Sequence, residues 1–221
     1  MSVKPEIELT ADGSHTLFVP ELDEHYHSIN GAIQESEHIY INAGLHCCTK
    51  KEIYIFEVGF GTGLNAFLTL LDAQNSEKVI HYISIEKYPL SDSITSKLNY
   101  GQKDQNLFNI LHQSLWNQEI EITPNFFLTK VEADFTSFDF DRIKYPIDVI
   151  YFDAFAPQKQ SDMWSLSLFS KLYGISNNDA ILVTYCAKGI VRRMLQEVGY
   201  TVERLPGPPG KREILRARKL L

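Results

Sequence analysis

Cysteine is scarce in this 221-residue chain: three residues, Cys47, Cys48 and Cys186, two of them adjacent. Three thiols cannot build a paired disulfide framework, and adjacent cysteines lack the CxxC spacing of a structural zinc site, so plain thiols and no metal are expected. No apolar run approaches the ~20 residues that span a bilayer. The N-terminus runs straight into Lys4 and Glu6 rather than an apolar signal core. A soluble, cytoplasmic protein with no membrane partner is expected. Internal repeats, low-complexity tracts and Pro/Ser/Gly-rich linkers are missing as well, which leaves one main domain. With 44% apolar and 12% aromatic residues, the chain can bury one substantial core and carry a small appendage.

Positive charge is also in short supply, but unevenly. Twenty-one Lys and Arg face 28 Asp and Glu, a net charge of −7 that argues against indiscriminate binding of polyanions. From Lys188 onward, however, nine basic residues face three acids, a net of +6, so the preceding part carries −13. Arg192, Arg193, Arg204, Lys211, Arg212, Arg216, Arg218 and Lys219 can form a phosphate-facing surface, or simply a solvated C-terminal face.

The first 45 residues read as an N-terminal cap. Asp12-Gly13 precedes a strand-like Thr16-Leu17-Phe18-Val19, a helix is expected near residues 30–37, and Ile39-Tyr40-Ile41 reads as a further strand. Residues 46–221 then alternate apolar strand-like runs (53–58, 79–85, 126–131, 147–152 and 180–185) with helical stretches (64–71, 91–98, 104–116, 162–173 and 189–198). Such alternation predicts an α/β fold with a parallel sheet covered by helices. Tyr200 to Glu203, a Gly-Pro-Pro-Gly turn and residues 213–217 read as a terminal hairpin that adds an antiparallel strand. A mostly parallel seven-stranded sheet closed in this way is the Rossmann-like plan of class I methyltransferases.

Between the first long strand and its helix lies Glu57-Val58-Gly59-Phe60-Gly61-Thr62-Gly63-Leu64-Asn65. Glycines at alternate positions permit a tight turn and let a ligand approach the backbone without meeting Cβ atoms. A dinucleotide fingerprint requires its third glycine one residue later, where Leu64 stands. The spacing therefore favours S-adenosylmethionine over NAD, unless the turn is an ordinary βα connection. Glu86, which ends the next strand about two dozen residues further on, can accept both hydroxyls of a ribose. Asp134 follows the third strand and can meet an adenine amino group, with Glu132 and Asp139 as alternatives.

The fourth strand ends in Tyr151-Phe152-Asp153-Ala154-Phe155-Ala156-Pro157. A primary amine must lose a proton to attack a methyl group, and Asp153 is the candidate to orient it and accept that proton. Phe155 can stack on a nucleobase or anchor its own loop.

With these motifs in place, the sequence resembles the methyltransferase component of the MnmC family of tRNA 5-methylaminomethyl-2-thiouridine biosynthesis proteins. The likeness runs along nearly the whole chain. It is carried by Asp12-Gly13-Ser14, Tyr26-His27-Ser28, Glu35-Ser36, residues 57–65, Glu86-Lys87-Tyr88-Pro89-Leu90, Phe152 to Pro157, Asp162-Met163-Trp164, Gly189 to Arg193, Leu195 to Tyr200 and Gly210 to Leu215. The resemblance implies methyl transfer from S-adenosylmethionine to the aminomethyl group of a wobble uridine in tRNA. It implies a donor site at Glu57, Gly59, Gly61, Gly63 and Glu86, with Asp153 catalytic; Asn65, Lys87, Asp134 and Asp153 itself are also expected to meet the donor. Phe155, Pro157, Lys188, Arg192, Arg193, Lys211 and Arg212 are expected to meet the tRNA. Bifunctional members carry a flavin-dependent domain after this one, whereas this chain stops at Leu221. No flavin chemistry is expected, and the acceptor amine is expected from another, upstream enzyme. Tyr185 and Cys186 replace small polar residues of the family in a loop expected to border the acceptor pocket. Glu37 and His38 stand where the family more often has a basic and an aromatic residue.

Other readings use the same residues. A class I methyltransferase can act on a small amine or another RNA base. A relative of polyamine aminopropyltransferases needs an acidic pocket, which the basic C-terminal segment disfavours. A catalytically silent RNA-binding module would have no physical need for the glycine turn, Glu86 and Asp153 together.

Overall fold

The structure, a computed structural model, describes residues 5–220. The charged start read at Lys4 and the chain end at Leu221 lie outside the described residues. Within them, eleven strands form two sheets. The larger has eight strands: β4 (Glu52–Val58), β5 (Val79–Glu86), β6 (Glu119–Thr123), β7 (Phe126–Glu132), β8 (Ile147–Phe152), β9 (Ser176–Thr184), β10 (Thr201–Pro206) and β11 (Glu213–Arg218). Their spatial order is β10-β11-β9-β8-β4-β5-β7-β6. The five central strands β9, β8, β4, β5 and β7 run parallel, and β11 inserts antiparallel between β9 and β10. This is the α/β architecture expected, with one strand more than the seven predicted.

The extra strand is β6, antiparallel to β7 at the sheet edge. Its Glu-Ile-Glu-Ile-Thr sequence alternates as a half-exposed edge strand does, and directly follows the longer helix expected over 104–116. That helix, α4, is confined to Gln105–Gln113, with the Asp104 side chain accepting from Leu107 N at 3.0 Å as its N-cap. The central strands are buried on both faces, so β4 and β8 read as continuous apolar runs rather than alternating ones. One face packs on α2 (Leu64–Gln74), α4 and the cap; the other on α5 (Leu166–Ile175) and α6 (Gly189–Glu197). Helix α5 starts at Leu166 rather than 162, because Ser165 supplies the N-cap oxygen to Leu168 N while residues Ser161–Met163 make a separate 3-10 turn. The helix expected over 91–98 is a single turn, α3 (Asp92–Thr95).

The N-terminal sheet has three antiparallel strands, β1 (Glu6–Leu9), β2 (His15–Val19) and β3 (Glu24–His25). Asp12-Gly13-Ser14 turns between β1 and β2, and Asp12 Oδ2 and Ser14 Oγ accept from the first amides of α1 (Ala32–Ser36). The Ile39-Tyr40-Ile41 run is not a strand but part of a π-helical stretch, Glu37–Asn42. All three side chains are buried because the stretch is wedged between α2 and β9, so burial on several sides mimics a strand's apolar run. Leu17, Ile39 and Tyr40 share one core with Ile53, Ile55, Phe67 and Tyr151, which ties the cap to the sheet.

Candidate functional site

The parallel strands β4, β5, β7, β8 and β9 all end at one edge of the sheet, where open α/β folds bind ligands. Because β11 is antiparallel to β9, with Leu215 opposite Thr184, the turn bearing Lys211 and Arg212 emerges at that same edge. The cap roofs this edge and encloses a cavity of about 390 Å³. Gly59, Gly61, Asn65, Glu86, Lys87 and Asp134 line one side of it, and Asp153 and Phe155 the other.

The glycine turn is held from three directions. Gly59, Gly61 and Gly63 have φ of +92, +50 and +72°, which only glycine adopts cheaply. A Cβ on Gly61 would meet the Tyr26 ring of the cap at 3.0 Å, and one on Gly63 would meet His112 of α4 at 2.9 Å. Glu86 Oε2 accepts from Gly61 N at 3.0 Å while its Oε1 accepts from Tyr88 N at 2.8 Å. Thr62 is pinned on both sides, its hydroxyl to His27 Nε2 of the cap at 2.8 Å and its carbonyl to His112 Nε2 at 3.1 Å. Burial pushes both imidazoles down to about 4, so both are neutral at neutral pH.

Glu57 and Gly63, unlike the other expected donor-site residues, do not line the cavity, and Glu57 sits deeper than the rest. It is fully buried beneath the turn. Burial pushes its carboxyl up to about 8 despite the short bond it accepts from Ser84 Oγ at 2.6 Å. It is a neutral prop under the floor at pH 7. Asn65 reaches from α2 and donates to Asp153 Oδ2 at 2.8 Å. Asp153 is largely enclosed, and burial pushes its carboxyl up to about 6. Asp134 at the rim is ion-paired with Lys87 at 2.7 Å, and this bond holds its carboxyl down to about 2.

The opposite wall is aromatic. Phe155 meets Tyr26 edge to face with centroids 5.1 Å apart, and the Tyr185 hydroxyl donates to Ala154 O at 2.9 Å. Lys211 Nζ lies 4.6 Å from the centre of the Tyr185 ring and 2.9 Å from Glu35, a carboxylate of α1 that also accepts from Ser28 N at 2.7 Å. An ion pair thus joins the terminal hairpin to the cap across the cavity mouth. Tyr26, Glu35 and Tyr185 are site residues that the sequence does not single out as such, although Tyr26-His27-Ser28 and Glu35-Ser36 stand out as motifs. The signal they carry is polar and aromatic residues grouped beside turns.

Pro157, Lys188, Arg192, Arg193 and Arg212 do not line the cavity. Lys188 is the N-cap of α6 and the two arginines stand in the middle of that helix, and no ion pair engages them or Arg212 among the described residues. Elsewhere the basic tail is committed internally. Arg216 pairs with Glu203, Arg204 with Glu213, and Lys219 donates to Tyr173 O and Ser176 O. The cysteines are all free, no group of His, Cys, Asp and Glu among the described residues is arranged to hold a metal, and no helix there is long and apolar enough to cross a membrane.

A family model described as S-adenosyl-L-methionine-dependent methyltransferase matches residues 103–220, more than half of the chain. The chain belongs to this family. Its methyl donor is S-adenosyl-L-methionine, and the residues lining the cavity fit such a ligand. A glycine turn packed so closely on the cavity-lining Tyr26 ring that Gly61 has no room for a Cβ, a strand-end carboxylate at Glu86 and the Asp134 carboxylate at the rim offer what a nucleoside needs. Among relatives, the tRNA 5-methylaminomethyl-2-thiouridine biosynthesis bifunctional protein MnmC of Campylobacter fetus is 32% identical over 219 residues, covering 91% of this chain and 34% of that protein. The protein of the same name from Marinomonas sp. is 30% identical over 215 residues, covering 88% of this chain and 31% of that protein. The chain thus spans about a third of the length of these relatives. Among solved structures, MnmC2 from Aquifex aeolicus matches with a TM-score of 0.77 and 27% identity, covering 97% of this chain and 70% of that one. Spermidine synthase from Thermotoga maritima matches with a TM-score of 0.58 at 13% identity, a likeness of fold alone.

Proposed function

We propose that this methyltransferase methylates the aminomethyl nitrogen of 5-aminomethyl-(2-thio)uridine at the wobble position of tRNA. The observation that carries the reading is Asp153: a carboxylate largely buried at the cavity wall, hydrogen-bonded to Asn65 and raised to about 6, beside an aromatic slot. Such a carboxylate is mostly ionised at neutral pH yet basic enough to take a proton from an attacking amine. The tRNA-modifying role named for the relatives supports the acceptor.

In this reading Gly59 and Gly61 leave room for the donor, Gly63 lets the turn close against His112, Glu86 accepts from the ribose, and Asp134, oriented by Lys87, faces the adenine. Glu57 acts from beneath, as a prop for the floor. When bound, the donor supplies an activated methyl group. Asn65 holds the Asp153 carboxylate toward the cavity, and Asp153 orients the amine and receives its proton. Phe155, with Tyr26 and Tyr185, forms a slot for the everted base, and Pro157 shapes the loop behind it. Lys188, Arg192, Arg193 and Arg212 meet anticodon-stem phosphates, whereas Lys211, committed to Glu35, serves the wall of the slot. Residues 1–45 act as the cap over a donor-binding unit of 46–221. An upstream enzyme must furnish the aminomethyl group.

The test is incubation of the purified protein with radiolabelled S-adenosylmethionine and tRNA from cells lacking this activity, followed by nucleoside mass spectrometry. New methylaminomethyl-uridine at the expense of its unmethylated precursor is expected. Donor binding with no labelled tRNA would move the acceptor to a small amine or another RNA.

A further inference from the structure

Outside the residues that touch the cavity, one buried charge stands without an ionic partner. Lys130 on β7 is 1% exposed, and no carboxylate lies within ion-pair distance of it among the described residues. Its ammonium is instead caged. It donates to Leu111 O at 3.1 Å and His112 O at 2.7 Å, carbonyls of the last turn of α4 that no helical amide can reach. It lies 4.9 Å from the centre of the Trp116 ring and 5.5 Å from that of Phe60. A cation at a helix C-terminus is favourably placed against the macrodipole, but burying one costs far more than a surface contact returns. Such a residue calls for an explanation beyond packing.

The cage leads directly to the glycine turn. Phe60 is itself a residue of that turn and packs edge to face on His112 and Trp116, with centroids 5.7 and 5.8 Å apart. His112, whose carbonyl Lys130 holds, directs its Nε2 to Thr62 O at 3.1 Å and occupies the space a Gly63 side chain would need. Burial, with the Lys130 charge adding to it, keeps this imidazole neutral. A neutral ring that donates from Nε2 has a fixed tautomer. Lys130 thus fixes the end of α4, and α4 fixes the turn.

We infer that Lys130 is a positioning residue for the methyl donor, acting through His112 and Phe60 to hold the Gly61–Gly63 turn open in its left-handed form. The inference rests on the reading that this turn receives the donor. Lys130 touches neither donor nor acceptor, so its loss should appear in donor affinity and not in the chemical step.

The experiment is calorimetric titration of Lys130→Met, His112→Phe and His112→Gln with S-adenosylhomocysteine, together with steady-state kinetics and thermal melting. Lys130→Met keeps the apolar stem and removes the charge and its donors. Its affinity should fall by roughly 3- to 30-fold, the range of energies carried by such networks, while kcat at saturating donor stays close to wild type. His112→Phe should lose a similar factor, and His112→Gln, which keeps an N–H for Thr62 O, should recover most of it. The double variant Lys130→Met/His112→Phe should lose little more than either single one, since both act along one path. Wild-type affinity in a folded Lys130→Met protein, or losses that simply add, would overturn the proposal. Should Lys130→Met not fold, the contrast between His112→Phe and His112→Gln decides, and equal affinities in the two would overturn it. Failure of the underlying reading is separable, because Gly61→Ala would then bind S-adenosylhomocysteine normally.

Discussion

The two walls of the cavity are built in different ways. On the donor side, Gly59 to Gly63, Glu86 and Asp134 sit at the ends of adjacent parallel strands, and much of what they offer is backbone: positive φ and absent Cβ atoms, in a turn whose glycine amides are bonded to Ile85 O, Glu86 and Phe60 O. On the acceptor side, Tyr26 and Glu35 come from the cap, Phe155 from the loop after β8, Tyr185 from the loop after β9 and Lys211 from the terminal hairpin. That wall consists of side chains contributed by elements far apart in the chain and tied by one ion pair and a few ring contacts. Substitutions on the first wall should act through conformation and donor affinity, and those on the second through charge, turnover and acceptor choice.

Asp153 stands between the walls, so changing it should have the largest effect. Asp153→Asn keeps an oxygen toward Asn65 but cannot take a proton, and turnover should fall by ~10²–10⁴, the usual contribution of a positioned base. Affinity for S-adenosylhomocysteine should barely change. In the wild type the rate should decline as pH falls through about 6, where the carboxylate protonates, and Asp153→Asn should lack this limb. The stability linkage has the opposite sign. A carboxyl raised from 3.8 to about 6 binds its proton more tightly in the native state, so its contribution to stability declines as pH rises through that window. A kcat/KM profile and a set of melting curves check both, and donor affinity lost in parallel with turnover would place Asp153 on the donor wall alone.

The next effect belongs to the donor wall. Gly61→Ala forces a non-glycine residue into φ +50° and drives its Cβ to 3.0 Å from Tyr26. Left-handed backbone alone costs on the order of 1–2 kcal/mol outside glycine, so donor affinity should weaken by about tenfold, as read by calorimetry. Tyr26 belongs to the acceptor slot, so the KM for tRNA should rise as well. An unchanged tRNA KM would show the walls to be independent.

This contrast also governs what the sequence discloses. The donor wall is legible because strand, turn and helix are contiguous in sequence: the 57–65 motif and the strand-end Glu86 specify it locally. Asp153 is legible for the same reason. Glu35, Tyr26 and Tyr185 are visible only as motifs or as a departure from the family, since their role depends on how the cap folds over the sheet. Lys211 counts by charge among the phosphate-facing residues, whereas a buried partner, Glu35, draws it into the wall. Ile39 to Ile41 mislead for a physical reason, because a helical stretch buried on several sides has the same apolar run as an interior strand. Edge strand β6 escapes notice because its short alternation carries little apolar signal.

A smaller effect separates two partners within the acceptor wall by sign. Lys211 lowers the Asp153 pKa and Glu35 raises it, although the two are bonded to each other. Lys211→Met should therefore move the acid limb of the pH profile upward and slow turnover at neutral pH, whereas Glu35→Gln should move the limb downward. Both break the same ion pair between cap and hairpin. If that pair mattered only as a mechanical latch, the two variants would shift the profile in the same direction or leave it in place.

The smallest effect on chemistry should come from the rim. Lys188 caps α6 and Arg192 and Arg193 stand within it, all three outside the cavity lining, with no ion pair among the described residues to occupy them. Changing all three to Gln leaves both walls intact, so donor affinity and kcat at saturating tRNA should hold. The KM for tRNA should rise, and the slope of log affinity against log salt should shrink by roughly 0.7–0.9 for each phosphate no longer neutralised. Arg204, Arg216 and Lys219 are engaged within the fold, and neutralising them should cost stability without altering that slope. Equal slopes in the two triple variants would mean that the tRNA approaches over another face, and that only the aromatic wall, not the basic rim, selects the acceptor.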